Sequence, residues 1–108
     1  MVMGEKIPVG ILVSGSGSNL QSLIDHIEAG KLDAEIRVVL CNNADAYALE
    51  RCRKHSIPAR IVDHREFASR ELFDRHMIEI LNACGVTLVV MAGFMRILSP
   101  EFFRAFPM

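Results

Sequence analysis

The chain has no tryptophan, a single tyrosine and three cysteines, and nowhere does it hold an apolar run long enough to cross a membrane. Each shortage excludes something. Cys41, Cys52 and Cys84 are odd in number and scattered, without metal-ligand spacing. That argues against a disulfide framework and a zinc site, and for free thiols in a reducing, cytoplasmic setting. Charge of either sign is also not in excess: 12 Lys and Arg face 13 Asp and Glu, so the net charge is −1. A broad basic footprint for nucleic acid is therefore not expected, and any anionic ligand must be held by local donors rather than by a global field. The apolar stretch Val9–Val13 is short and runs into Gly and Ser with no cleavage pattern, so no secretory signal is read there. Low-complexity tracts, repeats and linkers are missing too. What remains is 108 residues, 51% of them hydrophobic, enough for one domain with one core. Residues 1–5 read as a disordered or tag-like start.

Strand and helix patterns alternate along the chain. Ile7–Val13 is a short apolar strand. Ser18 is placed to cap a helix, with Gln21 as its capping-box partner. Leu20, Leu23, Ile24 and Ile27 share one face of that helix, and Gly30 stops it. Ile36–Cys41 is a second strand. Asn43 or Asp45 caps a second helix with Ala46, Leu49 and Cys52 inward, and Ser56-Ile57-Pro58 breaks it. Ala59–Val62 is a third strand. Ser69 caps a third helix whose stripe is Leu72, Phe73, Met77, Ile80, Leu81 and Cys84, ended by Gly85. Val86–Met91 is apolar throughout, as expected of a strand covered on both faces. Ser99-Pro100-Glu101 combines a cap, proline at the first helical position and an acid in the first turn. The expectation is a Rossmann-like α/β fold in three layers: a parallel sheet in the order 3-2-1-4, with right-handed crossovers.

In that order the chain reverses between strands 1 and 4, and ligands of open α/β sheets bind at such a switch point, beyond the carboxyl ends of the strands. The loops delivered there are SGSGSN and AGFMRILS. The first is not a P-loop, which needs four residues between its glycines and then a lysine. It also fails as a dinucleotide loop, because Leu20 stands at the third glycine position and Cys41-Asn42-Asn43 replaces the ribose-gripping acid. Two readings stay open: a single-phosphate pocket built from amides at a helix N-terminus, or a turn that only caps the helix. In the second loop, Phe94, Met95, Ile97 and Leu98 surround Arg96. They are either core beneath the last helix or, in part, the wall of an apolar slot for a flat heterocycle. His26, His55, His64 and His76 share no spacing, so no metal site is read. Only His64 falls near the strand ends, and exposure to solvent is the expectation for it. Asp45, Asp63 and Asp74 read as caps or surface charges.

The segments SGSGSNLQSLID, CNNADAYALERCR, FASRELFDRHM and VVMAGFMRILSPEFF, in this order and spacing, resemble the phosphoribosylglycinamide formyltransferases. The likeness runs from Lys6 onward. It implies a formyltransferase-type fold and transfer of a formyl group from 10-formyltetrahydrofolate, as co-substrate, to glycinamide ribonucleotide in de novo purine synthesis, without a metal. By position it implies that Gly15, Ser16, Gly17, Ser18 and Asn19 hold the substrate phosphate. Arg70, Met95, Arg96, Ile97 and Leu98 would contact the folate. The family's catalytic groups, an Asn-x-His-Pro-Ser segment and a later aspartate, have no counterpart up to Met108; by the resemblance they belong to positions beyond it. Residues 1–108 correspond to the family's amino-terminal half, so no catalytic residue is expected among them. Binding without turnover is the expectation for these residues alone, as is self-association through an exposed fourth-strand edge. Two other readings compete: a hydrolase akin to formyltetrahydrofolate deformylase, and a non-catalytic α/β binding or interaction module.

Overall fold

Residues 6–106 are described by the computed structural model. The start at residues 1–5 lies outside them, as do Pro107 and Met108, so the expectation that the catalytic groups follow Met108 also falls outside the described residues. Four parallel strands form one sheet in the order β3-β2-β1-β4. They are β1 (Ile7–Val13), β2 (Ala34–Cys41), β3 (Ala59–Ile61) and β4 (Leu88–Met91). The intervening helices are α1 (Ser18–Glu28), α2 (Tyr47–Lys54), α3 (Arg70–Ala83) and α4 (Pro100–Ala105), with a 3-10 turn at His64–Glu66.

Side-chain alternation along the central strands creates the three layers. Val9, Ile11, Val13, Val39 and Cys41 point to one face, where Leu20 and Ile24 of α1 and Ala48 and Cys52 of α2 cover them. Leu12, Val38 and Leu40 point to the other, against Phe73, Met77 and Leu81 of α3 and Phe102 and Phe106 beyond β4. Gly10 belongs to this second face: a Cβ there would lie 2.5 Å from Leu81, so its absence lets α3 sit close on the sheet. One irregularity interrupts the pairing. Val9 lies opposite Ile36 and Gly10 opposite Val38, leaving Arg37 as an extra residue whose guanidinium donates to the Cys84 carbonyl at 3.2 Å.

Several expectations need correction. Helix α1 is capped by Gly17, in the left-handed region at φ 78°, and Ser18 is its first helical residue without a capping bond. A cap must have non-helical angles, and Gly17 takes them at little steric cost. Gln21 bonds Asp25 instead of completing a capping box. Helix α2 begins after Ala46 with no side-chain cap, while the Asn43 side chain accepts from the Asp45 amide. Leu72 is exposed, because α3 turns it away from the sheet. Strand β4 is covered only in part: Val90 packs against one core cluster and Val89 against the other, but its end residues Leu88 and Met91 are 46% and 43% exposed. Among the described residues only β1 pairs with it, and α4 crosses one face alone. The Ser69 cap of α3, donated to by the Leu72 amide at 3.2 Å, and the positive φ at Gly30 and Gly85 agree with expectation.

Candidate functional site

The two loops at the switch point meet at one residue, Ser14. Its amide donates to the Gly93 carbonyl at 3.2 Å, and its hydroxyl accepts from the Met95 amide at 2.8 Å. The glycine loop and the Gly93–Ser99 loop therefore share a rim of the sheet. Gly93 takes φ 76° to make its turn.

Behind Ser14 the glycine loop is clamped onto α2. The Ala48 amide donates to the Gly15 carbonyl at 3.2 Å, and Arg51 Nε donates to the Ser16 carbonyl at 2.8 Å. Arg51 also reaches Gln21 Oε1 at 3.1 Å and lies 4.8 Å above the Tyr47 ring. A Cβ on Gly17 would come within 2.9 Å of the Ala48 backbone. Gly17 thus answers two demands, a left-handed angle and a close approach. Ser18 and Asn19 are exposed at the start of α1, which has no side-chain cap and where the first helical amides have no intrahelical acceptor.

An open cleft of about 570 Å³ lies beyond the strand ends. Ser14, Asn42, Asn43, His64, Met95 and Arg96 line it, together with Asp45 and Arg65. Of the residues expected to contact folate, Met95 and Arg96 line this cleft. Ile97 is 76% exposed and does not line it, and Leu98 is buried beneath α4. Met95 is 81% exposed, an unusual state for so apolar a group. Arg70 stands exposed at the first residue of α3 and does not line the cleft. Nor do Gly15–Asn19, which continue away from Ser14 toward α1.

The sequence reading missed part of this arrangement. His64 is half-buried in the cleft, not solvent-facing: its Nδ1 lies 3.4 Å from Asn42 Nδ2, and its ring meets the Phe73 edge. Asn42 is buried and its Oδ1 has no partner among the described residues. The signal was its place immediately after β2, where ligands gather. Arg51 carried no signal, because its partners lie 30 and 35 positions away. Asp63 caps the 3-10 turn, as read. The Arg65 side chain, and then the Arg65 amide, hold its carboxyl down at about 2. Asp74 is buried, not a surface charge. Burial raises the Cys41 thiol, and raises Cys52 to about 11 with a smaller contribution from Cys41; both suit unreactive core thiols. All three cysteines are free. Among the described residues, no group of three or more His, Cys, Asp or Glu is placed to hold a metal, and no helix is long and apolar enough to cross a membrane.

The family model described as formyl transferase matches residues 8–108. The chain belongs to the formyl transferase family. It is 45% identical over 92 residues to a phosphoribosylglycinamide formyltransferase of Escherichia coli, a match covering 85% of this chain and 43% of that protein. A trifunctional purine biosynthetic protein of Drosophila pseudoobscura pseudoobscura is also 45% identical, over 98 residues that make up 89% of this chain and 7% of the larger protein. Among solved structures, glycinamide ribonucleotide transformylase 1 of Symbiobacterium toebii superposes with a TM-score of 0.92 at 41% identity. That match covers 97% of this chain and 50% of the other. The chain spans about half the length, or less, of these relatives. The four-strand order and flanking helices are thus the formyltransferase arrangement.

Proposed function

We propose that this chain supplies the phosphate- and folate-holding part of a phosphoribosylglycinamide formyltransferase. That enzyme moves a formyl group from 10-formyltetrahydrofolate to the amine of glycinamide ribonucleotide in purine synthesis, in the cytoplasm. The observation that carries this reading is the double hydrogen bond at Ser14, which joins the glycine loop to the Gly93–Ser99 loop. Gly15, Ser16, Gly17, Ser18 and Asn19 receive the phosphate, using loop and helix amides favoured by the α1 dipole. Arg70 meets the folate, and Met95, Arg96, Ile97 and Leu98 form its wall, Leu98 by anchoring the segment in the core. The exposed apolar side chains of Met95 and Ile97, the orphaned Asn42 oxygen and the cleft volume all suit a large, partly polar heterocycle.

Formyl transfer needs the amine held against the formyl carbon, donors for the developing oxyanion and a group that takes a proton. The residues up to Met108 provide the first of these. The family's Asn-x-His-Pro-Ser segment has no counterpart among them, so the 108-residue chain assayed alone binds both ligands without turning them over. Calorimetric titration tests this. Micromolar binding of glycinamide ribonucleotide and of a reduced folate supports the reading; folate binding alone would transfer it to a deformylase-like protein; no binding of either would leave an interaction module.

The edge of β4 that is unpaired among the described residues, and its exposed Leu88 and Met91, suit pairing with a second copy of the chain. Sedimentation should show self-association that Leu88→Lys weakens; a concentration-independent monomer would refute it.

A further inference from the structure

Asp74 is the one fully buried carboxylate among the described residues. It is not needed by its own helix, whose start Ser69 already caps. Among the described residues no cationic side chain bonds it. Its Oδ2 accepts from the Ser99 amide at 2.5 Å, and its Oδ1 has no partner among those residues. A buried carboxylate so thinly compensated is costly, and a simple packing role would be served better by an apolar group. What it does hold is the start of α4. Ser99, the N-cap of that helix, makes no side-chain capping bond, and its hydroxyl is buried without a partner among the described residues. With only six residues, α4 cannot sustain itself. Asp74 caps it from α3, where the helix dipole also favours a negative group.

The consequence reaches the loop. The segment from Gly93 to Ser99 is pinned at its near end by Ser14 and at its far end by Asp74. Met95, Arg96 and Ile97 project between the two pins. Asp74 also follows Arg70 by four residues on α3, so one helix carries both Arg70 and the far pin. We propose that Asp74 is a positioning residue for the reduced folate: it fixes the Met95–Leu98 wall and sets it relative to Arg70. This rests on the folate reading above.

The test compares wild type with D74N, D74A and S99P. D74N keeps an oxygen that accepts from Ser99. S99P removes the donor instead, at a φ of −76° that proline adopts. Each protein is titrated with 5-formyltetrahydrofolate and with glycinamide ribonucleotide, and the amide resonances of residues 93–98 are recorded. D74A and S99P should bind folate roughly tenfold more weakly, with nucleotide affinity unchanged and the 95–97 resonances moved. D74N should stay within about threefold of wild type. Wild-type folate affinity in folded D74A or S99P overturns the proposal, as does equal loss of both ligands or a D74N as damaged as D74A. If D74A does not fold, S99P decides. If wild type itself binds no folate, the folate reading has failed. The resonances then judge the pin separately: movement in the variants upholds it, and no movement overturns it.

Discussion

The two loops at the switch point are built by opposite means. The Ser14–Asn19 loop is fixed by its backbone: a left-handed Gly17 pressed on Ala48, a Gly15 carbonyl bonded to the start of α2, and a Ser16 carbonyl gripped by Arg51. The Gly93–Ser99 loop is held only near its ends, and its middle pushes Met95 and Ile97 into solvent. A backbone-fixed loop of small residues suits a small, rigid anion that is read by amides. A pinned segment with bare apolar side chains suits a larger flat partner that covers them. The two ligand classes of the proposed reaction differ in the same way.

Substitutions sharpen the contrast. Gly17→Ala should have the largest effect, because the left-handed angle and the Ala48 backbone both oppose a Cβ. A loss of about 2 kcal/mol or more in stability is expected by thermal denaturation, with nucleotide phosphate binding abolished. Ser14→Ala removes the acceptor of the Met95 amide and so breaks one of the two bonds between the loops, leaving the backbone bond to Gly93. It should cost about 1 kcal/mol and weaken both ligands, read by melting and calorimetry. Ile97→Ala should leave stability within about 0.5 kcal/mol while lowering folate affinity, which would separate the wall's ligand role from any packing role. The smallest effect concerns acid. Asp63, held at about 2 in the folded chain against an ordinary 3.8, contributes stability that is complete above about pH 4 and lost as pH falls toward 2. Asp63→Asn should flatten that part of an acid-denaturation curve without touching either loop.

Much of the fold was legible because its signals are local. Apolar runs marked the strands, Ser69 and Pro100 marked helix starts, and Gly30 and Gly85 marked stops. Strand order followed from the β-α alternation. The α1 cap was misread because a serine side chain is a visible signal, whereas the angle that excluded it belongs to Gly17. For the site, the sequence offered the two loops but not what joins or supports them. Asn42 with His64, Arg51 with Ser16, and Asp74 with Ser99 are pairs 22, 35 and 25 residues apart, brought together only by the sheet. The exposure of Leu88 and Met91 in β4 was hidden for a related reason: an apolar run records what a strand is suited to, not whether a neighbour covers it.

The most direct test of the account maps both ligands onto assigned backbone amide resonances. Glycinamide ribonucleotide should perturb residues 15–19 first, 5-formyltetrahydrofolate should perturb residues 95–98, and each ligand should also reach Ser14. Perturbations confined to another rim of the sheet, or a nucleotide that leaves residues 15–19 unmoved, would contradict it.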